Sequence, residues 1–507
     1  MAGMYTDRKQ NGKYGKRNAD IAVGFDGNSE LKEAIKKNKV EGLEFLKKLI
    51  RIESVASNST ITKNGEIYPF GQGVQSAFNF MLSEAEKLGF ETMNADNYGG
   101  HIDLGQGDET LGILAHLDVV PSGDGWEHPP YSAYQDDEFL WGRGTTDDKG
   151  PLVACFFAMK ALKEAGYRPS KKVRLILGLD EETEWKGVEY YFSKVAPPDF
   201  GFTPDGDFPV INGEMGAMTF RIVGKLDGRN QNGMNITRLS GGTADNMVAD
   251  RARAVIMCKR DEIYQSIKDE AKNFSYDTGY KLNMKMMGKA LEVSACGKAA
   301  HGAMPEKGLN AISILISFLS RFKFDSDGIN DFMNFYNEYI GFELDGRRLG
   351  IYSSDEKTGN TIVNVGVLGY NKDSISIDVN VRYPVCTDAD HIYDLMMPIL
   401  DENGFGVIKM SDKPAFYLEP DSPLIRTLAE IYRMETGDGD NAPLISRGTT
   451  YAKTCDNMVA FGGLFPGDPD IMHQANERLA LKRFDNMIDI YAKVIYHLAS
   501  ENFQLTD

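Results

Sequence analysis

Apolar residues recur at helical spacing in two segments near the start of the chain. These segments are SELKEAIKKNKVEGLEFLKKLIRI, residues 29–52, and QSAFNFMLSEAEKLGF, residues 75–90, and the spacing predicts two amphipathic helices that cover a sheet. Short apolar runs at residues 111–120 and 171–180 have the pattern of buried strands. Between them, residues 151–166 are largely apolar and begin with proline, which predicts a third helix. Strand, helix and strand in this order predict an α/β domain with a largely parallel sheet.

The pattern changes after about residue 212. Strand-like segments such as AMTFRIVGK and SISIDVNVRYP alternate with helical segments such as RDEIYQSIKDEAKNF, so this region is predicted to be α+β with antiparallel strands. Near Pro414 the chain returns to the first domain, and it ends in a long predicted helix, ERLALKRFDNMIDIYAKVIYHLAS. We therefore expect the second domain to be an insertion in the first.

The predicted boundaries follow these changes of pattern. Residues 1–28 form a polar N-terminal extension, residues 29–213 and 413–507 form the first domain, and residues 214–412 form the inserted domain. The paired strand and helix pattern of the insertion suggests two ferredoxin-like halves.

Composition excludes several classes of function. The 507 residues carry 56 Lys and Arg against 74 Asp and Glu, a net charge of −18, and nucleic acid is not an expected partner because phosphate binding needs a basic face. The five cysteines are scattered and lack Cys-x-x-Cys spacing, so we expect free thiols in a reducing compartment. The N-terminal residues lack the apolar run of a secretory signal, and no segment reaches membrane-spanning length. We expect a cytoplasmic protein with no membrane partner.

Polar residues follow the predicted strands. His116 and Asp118 close the first apolar run, and strand alternation points them to the same side. A carboxylate at this spacing can hold the second ring nitrogen of a metal-binding histidine, although a hydrogen-bonded polar pair is the simpler interpretation of this motif alone. Asp147 and Asp148 follow a glycine-punctuated loop; we interpret Asp148 as a helix cap and place Asp147 beside the His116 strand, where α/β sheets build their sites.

Further acids and one histidine extend this group. Glu181 and Glu182 belong to three consecutive acids that end the second apolar run, and Asp205 follows shortly afterwards. Packed carboxylates repel unless a cation or a proton neutralises them. His473 lies in a predicted loop rich in glycine, proline and acidic residues, where function is more frequent than packing. A metal site at the ends of the strands is therefore plausible, with a solvated charge cluster as the alternative.

Taken in order, these motifs resemble the M20 metallopeptidase family, and within it the bacterial PepV-type dipeptidases. The resemblance covers nearly the whole chain and is carried by AHLDVVP, GRGTTDDKGP, LDEETEWKG, TPDGDFPVINGE, GKAAHGAMP, VRYP, GTTYAK and PDIMHQANE. It implies a zinc-exopeptidase-like catalytic domain of α/β class, with helices on both faces of a mostly parallel central sheet, and an inserted α+β lid domain.

The resemblance also implies a metal-ligand set. His116 and Asp205 would bind one divalent ion, Glu182 and His473 would bind a second, and Asp147 would bridge the two. Nitrogen and oxygen ligands without thiolate suit zinc, with manganese or cobalt as replacements.

Three further expectations concern the residues beside these ligands. Asp118 would orient His116, and Glu181 would serve as the general base. The peptide bond between Asp147 and Asp148 would be cis.

In the lid, the resemblance assigns residues to the substrate. His301 would stabilise the oxyanion, and Arg382 would hold the terminal carboxylate of the substrate, for which a planar guanidinium is well suited. Asn246, Gly448 and Thr449 would be further substrate contacts, with an ordinary loop asparagine as the alternative for Asn246.

The expected activity is hydrolysis of unblocked dipeptides by a metal-bridging water. The alternatives are a carboxypeptidase or an N-acyl or carbamoyl amino acid amidohydrolase of the same family, and, outside enzymes, an inactive metal-binding scaffold. Arg447 stands where the family pattern has only glycine, and it would narrow or charge the pocket. Since the long insertion can supply His301 within one chain, we expect a monomer, with a homodimer as the alternative.

Overall fold

The computed structural model describes Phe25, residues 27–226 and residues 233–506. The predicted polar extension, residues 1–28, lies outside the described residues except for Phe25, Gly27 and Asn28.

The helices of the described residues are distributed along the whole chain. In order they are α1 (Ser29–Ile50), α2 (Gln72–Lys87), α3 (Lys149–Glu164), α4 (Lys186–Lys194), α5 (Asp261–Thr278), α6 (Ala311–Leu319), α7 (Asp327–Tyr339), α8 (Ala389–Glu402), α9 (Pro423–Thr436) and α10 (Leu481–Leu498).

The strands of the first part of the chain are β1 (Thr60–Ile61), β2 (Ile67–Tyr68), β3 (Glu91–Asn94), β4 (Gly100–Leu104), β5 (Thr110–His116), β6 (Tyr134–Gln135), β7 (Phe139–Trp141), β8 (Lys172–Gly178), β9 (Phe200–Thr203), β10 (Gly206–Asp207) and β11 (Ile211–Glu214). They are followed by β12 (Gly216–Lys225), β13 (Met234–Gly241), β14 (Arg251–Cys258), β15 (Lys281–Met287), β16 (Ala290–Cys296), β17 (Ser354–Asp355), β18 (Gly359–Asn360), β19 (Ile362–Tyr370), β20 (Ser374–Tyr383) and β21 (Gly406–Lys413). The last strands are β22 (Phe416–Tyr417), β23 (Leu444–Ser446), β24 (Met458–Ala460), β25 (Gly463–Leu464) and β26 (Arg478–Ala480).

The chain divides into two compact units. Unit 1 contains Met1–Asn212, Leu418–Leu444 and Thr450–Asp507, and unit 2 contains Gly213–Tyr417 and Ile445–Thr449. The short segment Ile445–Thr449 is thus grouped with unit 2, although the residues on either side of it belong to unit 1.

Unit 1 is built on a mixed sheet with a parallel centre. Its strands run in the order β11-β24-β9-β5-β8-β4-β3. The central neighbours β24, β9, β5 and β8 are parallel, whereas β4, β3 and β11 pair antiparallel with their neighbours. Strands β5 and β8 are buried along nearly their whole length, which explains their continuous apolar sequence.

Two glycines allow the central strands β5 and β9 of this sheet to approach each other closely. Gly112 of β5 and Gly201 of β9 are register partners, and a Cβ atom on Gly201 would lie only 1.9 Å from the carbonyl oxygen of Gly112. The two backbones therefore approach more closely than any side chain would permit.

Helix α3 is the central helix of unit 1. It packs against β5, and both α1 and α10 pack along it, so that it is buried through most of its length. A helix surrounded in this way should be apolar on all sides, and its sequence, KGPLVACFFAMKALKE, largely is. Gly42 of α1 allows close approach, because a Cβ there would lie 3.1 Å from the Phe157 ring.

Unit 2 is an α+β layer structure. Its sheet is antiparallel throughout, in the order β15-β16-β14-β13-β19-β20-β12-β21. Helix α6 packs on β14, β16 and β19, and α8 packs on β21. A single apolar core joins these helices to the inner face of the sheet, with Phe220, Ile256, Phe318 and Met396 fully buried. The predicted fold class, an α/β domain with an inserted α+β domain, is confirmed.

Two other properties bear on the sequence-based expectations. All five cysteines are unpaired, as predicted. Within the described residues, no helix has the length and apolar character that crossing a membrane requires.

Candidate metal centre

The predicted ligands lie where parallel strands of unit 1 end. His116 is the last residue of β5, Glu182 follows β8, and Asp205 follows β9. Asp147 immediately precedes Asp148, the residue at the N-cap position of α3, and His473 lies in a loop between β25 and β26 with a positive φ of 61°. Since the carboxyl ends of parallel strands meet at one edge of a sheet, the local folds explain why ligands so distant in sequence meet.

The structure brings these five side chains together in two groups that share one member. His116, Asp147 and Asp205 form the first group, and Asp147, Glu182 and His473 form the second, with the ligand atoms of each group within 4.8 Å of one another. The histidines contact different oxygens of the shared carboxylate: His116 Nε2 lies 3.0 Å from Asp147 Oδ1, and His473 Nε2 lies 2.9 Å from Asp147 Oδ2. Asp147 is therefore in the position of a bridging carboxylate.

The donor set and its spacing fit divalent metal. Imidazole nitrogens and carboxylate oxygens lie about 2.0–2.2 Å from zinc, so two ligands of one tetrahedral ion are about 3.4 Å apart. The measured contacts span this value, from 2.9 Å for His473 with Asp147 to 3.8 Å between His116 Nε2 and Asp205 Oδ2. His473 Nε2 also lies 3.1 Å from Glu182 Oε1.

The electrostatics of the centre favour positive charge. Hydrogen bonds that the His473 ring donates to the carboxylates of Asp147 and Glu182 raise the pKa of His473 to about 11. Burial alone would lower the pKa of His116, but its hydrogen bonds to Asp118 and Asp147 and the negative charges of these two residues outweigh burial and hold that pKa well above its ordinary value. A site that stabilises imidazolium this strongly also stabilises a bound cation.

Asp118 connects two of the ligand segments. Its carboxylate oxygens accept hydrogen bonds from the backbone N–H groups of Glu181 and Glu182, each at 3.1 Å. The Nδ1 atom of His116 lies 2.9 Å from the Asp118 carbonyl oxygen and 3.5 Å from the carboxylate. The backbone oxygen of Asp118 is thus the nearer partner of the imidazole.

Glu181 is partly buried beside the ligands, and its Oε1 atom is inaccessible to solvent. Its Oε1 atom has no hydrogen-bond donor within the described parts of the chain. Burial and the charge of Asp205 hold the pKa of the Glu181 carboxyl well above its usual range. An acceptor in this state is able to receive a proton from a group that enters the site.

Sequence reasoning missed part of the support around the ligands. Asp148 occupies the N-cap position of α3, but its side chain makes no capping hydrogen bond; instead Asp148 Oδ2 accepts from the backbone N–H of His116 at 3.1 Å. The peptide bond between Asp147 and Asp148 is cis, as the family resemblance implied.

Glu477 belongs to the motif PDIMHQANE, but no role was predicted for it from the sequence. It is fully buried, and its carboxylate accepts hydrogen bonds from the loop before Asp147. Its position four residues after His473 was the feature of the sequence that could have indicated a role at the same site.

A second missed pair lies next to Glu181. The hydroxyl of the buried Tyr451 donates to Asp180 Oδ1 at 3.3 Å, and the Tyr451 ring meets the His116 ring edge to face at 6.4 Å. Burial raises the pKa of Asp180 to about 6. Tyr451 belongs to the GTTYAK motif, which sequence reasoning had connected with substrate only.

The remaining predicted residues all belong to unit 2. His301 and Asn246 lie in adjoining loops, since Gly302 N donates to Asn246 O at 2.6 Å and Met247 bridges to His301. Arg382, on β20, donates from Nη1 to Thr449 Oγ1 at 2.9 Å.

Arg447 and Gly448 lie in the same short segment as Thr449. Gly448 N donates to Ser446 Oγ at 2.8 Å. The Nη1 atom of Arg447 lies 2.9 Å from Glu306 Oε1, so Glu306 offsets the charge that Arg447 brings to this segment.

Comparison with known proteins identifies the family. Residues 112–497 match the pattern described as "Peptidase family M20/M25/M40". A Bacillus subtilis (strain 168) protein named "Putative dipeptidase YtjP" is 36% identical over 454 residues, covering 89% of this chain and 95% of its own. A Staphylococcus saprophyticus protein named "Putative dipeptidase SSP1012" is 34% identical over 468 residues, covering 90% and 97%. Among solved structures, the dipeptidase Dug1p of Saccharomyces cerevisiae has the same fold, with a TM-score of 0.54 at 13% identity and coverage of 94% and 99%. The chain therefore belongs to peptidase family M20/M25/M40.

Proposed function

We propose that this protein is a dinuclear metallopeptidase that hydrolyses the peptide bond of unblocked dipeptides. The observation that carries the proposal is the pair of ligand groups sharing Asp147, with the buried Glu181 carboxylate beside them. Membership of a metallopeptidase family supports a divalent ion at this place, and the names of the relatives support a dipeptide as substrate.

His116 and Asp205 would hold one ion, Glu182 and His473 the other, and Asp147 both. Zinc suits this set of nitrogen and oxygen donors, and manganese or cobalt would replace it. When bound, the ions supply an acidified water and polarise the scissile carbonyl.

Glu181 acts as the general base. Its unpartnered Oε1 atom takes a proton from the attacking water, and the protonated carboxyl then gives this proton to the departing amine. A raised pKa of the Glu181 carboxyl favours retention of the transferred proton until the departing amine takes it.

Residues of the inserted domain would bind the carboxylate end of the substrate. Arg382 is 6% exposed, and its Nε atom finds no acceptor among the residues that the structure describes. Because a buried cation with an unused donor is costly, the substrate carboxylate is the natural partner. Thr449 orients the guanidinium through its hydroxyl, and Gly448 and Asn246 complete the contact.

His301 stabilises the oxyanion of the tetrahedral intermediate. Its loop is fixed by the backbone hydrogen bond between Gly302 and Asn246, which supports a preorganised imidazole. Parallel assays of free dipeptides, tripeptides, N-acyl amino acids and carbamoyl amino acids discriminate the proposed activity from the others of the family.

The general-base role is tested by Glu181→Gln. We expect loss of dipeptide hydrolysis by a factor of about 10³ or more, since the amide cannot take the proton, while metal content stays at the wild-type level. Glu182→Gln is the matched control, because it changes the neighbouring ligand and should lower metal content as well. Retention of more than a tenth of wild-type turnover by Glu181→Gln would refute the assignment.

A further inference from the structure

Glu477 lies four residues after His473 and is completely buried. Its carboxylate nevertheless has a full set of donors. Oε2 accepts from Arg143 Nη1 at 2.6 Å and from the backbone N–H of Gly144 at 3.1 Å. Oε1 accepts from the backbone N–H and the hydroxyl of Thr146, both at 2.9 Å. The backbone carbonyl of Glu477 accepts in addition from Gly142 N–H at 3.0 Å.

All these donors come from residues 142–146, which lead directly into Asp147. Asp147 is the one residue common to both ligand groups. Glu477 thereby connects the loop that delivers the shared ligand with the loop that delivers His473, and neither loop is a helix or a strand at this point.

Two other carboxylates that offer no ligand atom act in the same way. Asp118 accepts from the backbone N–H groups of Glu181 and Glu182, and Asp148 accepts from that of His116. Each joins two ligand-bearing segments through hydrogen bonds between a charged acceptor and backbone N–H, which are stronger than neutral ones. Glu477 makes as many such bonds as Asp118, and it also accepts from the side chains of Arg143 and Thr146.

We propose that Glu477 is a positioning residue for both metal ions, because it fixes the Asp147 loop to the His473 loop. The inference rests on the metal centre of the proposed function. Its alternative is a buried ion pair that stabilises unit 1 without any influence on the centre. The positioning role and the purely stabilising role predict different effects of a mutation on metal affinity. Mutating a group that holds metal ligands in place commonly lowers metal affinity by about 10–100-fold.

The test is Glu477→Gln, which keeps the shape of the side chain but places an NH₂ group against donors. Asp103→Asn is the matched control, because Asp103 forms a partly buried, doubly hydrogen-bonded pair with Arg174 between β4 and β8, at 2.8 and 2.9 Å, and neither residue belongs to the ligand loops. Zinc affinity is measured by competition with a chromogenic chelator on metal-free protein, and thermal stability of the metal-free protein is measured in parallel.

We expect Glu477→Gln to weaken the binding of both ions by about 10-fold or more, and Asp103→Asn to destabilise the protein with zinc affinity within about twofold of wild type. Affinity of Glu477→Gln within about threefold of wild type would overturn the proposal. So would an equal loss of affinity in the control, since the loss would then follow from destabilisation alone.

Thr146→Val keeps the test decisive if Glu477→Gln does not fold. It removes only the hydroxyl donor to Glu477, and we expect zinc binding to weaken by about threefold or more; unchanged affinity would refute the proposal. Because the readout is zinc binding, a wild-type protein that binds two ions without hydrolysing dipeptides would contradict the proposed function and leave this inference intact.

Discussion

Side chains at the candidate metal centre divide into those that could offer ligand atoms and those that hydrogen-bond to the segments carrying these ligands. The second group, Asp118, Asp148 and Glu477, is almost entirely buried and accepts mainly from backbone N–H groups. Hydrogen bonds to backbone N–H groups cannot be predicted from a sequence, because every residue except proline carries such a donor. Ligands are easier to predict, since histidines and acids at the ends of apolar runs are conspicuous.

Arg382→Lys tests the carboxylate clamp. Lysine keeps the positive charge but loses the planar fork, so we expect KM for a free dipeptide to rise by about 30-fold or more with a smaller change in kcat. Steady-state kinetics with a dipeptide and its C-terminal amide check the cause. The wild type should strongly prefer the free acid, and the variant should lose most of that preference; an unchanged preference would show that Arg382 does not bind the carboxylate.

His101 provides a prediction on pH that is independent of the metal centre. Burial lowers the pKa of this histidine to about 4 from its ordinary 6.5, and its Nδ1 atom lies 2.7 Å from the Tyr191 hydroxyl. The unfolded chain therefore takes up a proton at a higher pH than the folded protein does. The stability that neutral His101 contributes is complete above pH 6.5 and is lost as the pH falls toward 4, by at most about 3 kcal/mol.

The measurement is the free energy of unfolding of metal-free protein from pH 7 to pH 4, for wild type and His101→Gln. Absence of metal removes the acid-induced loss of ions as a second cause. We expect the variant to lose less stability over this range than the wild type. Parallel curves would contradict the assignment.

Strands and helices were predicted better than the loops between them. The apolar runs at residues 111–120 and 171–180 became β5 and β8, and the periodic segments at residues 29–52 and 75–90 became α1 and α2. A strand such as β5 or β8 that is buried on both faces has a continuous apolar sequence, which can be recognised without a structure. The order of strands in a sheet has no comparable sequence pattern. The antiparallel pairing of β4, β3 and β11 at the margins of the sheet was therefore not predicted.

The Gly201→Ala variant tests the close approach of strands β9 and β5, which it should push apart. The added methyl group meets the Gly112 carbonyl oxygen, a backbone atom that cannot rotate away, so we expect a loss of about 1–3 kcal/mol in unfolding free energy and weaker metal binding, because Asp205 follows β9. Denaturant unfolding and zinc titration are the measurements. Gly406→Ala in β21 is the control, since a Cβ there meets nothing within 4 Å; equal effects of the two changes would contradict this account.

At the level of the whole chain, the negative net charge argued against nucleic acid as a partner, and the cysteine spacing argued against a cysteine-bound metal. The family resemblance then indicated which residues would share each metal ion. Residue chemistry alone could not do this, because five ligands spread from His116 to His473 show no local spacing. The cytoplasmic location and the monomeric state stay predictions.

Metal should stabilise the folded protein as a whole. A ligand that binds only the native state adds RT ln(1 + [L]/Kd) to stability, about 4 kcal/mol at 1,000 times Kd. We expect a chelator to lower Tm and abolish dipeptide hydrolysis, and added zinc or manganese to restore both. The variant His473→Ala, which lacks one ligand, should show a smaller zinc-dependent rise in Tm. Full activity of chelated, metal-free protein would refute the two-metal proposal.

The discontinuous composition of unit 1 has a consequence for synthesis. Unit 2 is nearly continuous, from Gly213 to Tyr417, whereas β24 and α10 of unit 1 come from its last segment, Thr450–Asp507. During translation, the first 212 residues are therefore synthesised about 250 residues before β24 is complete. Until then, the edge of β9 that pairs with β24 has no partner strand. His473 follows β24 in the chain, so a chain terminated before β24 would lack both this strand and a proposed ligand, and we expect it not to bind metal at the proposed centre.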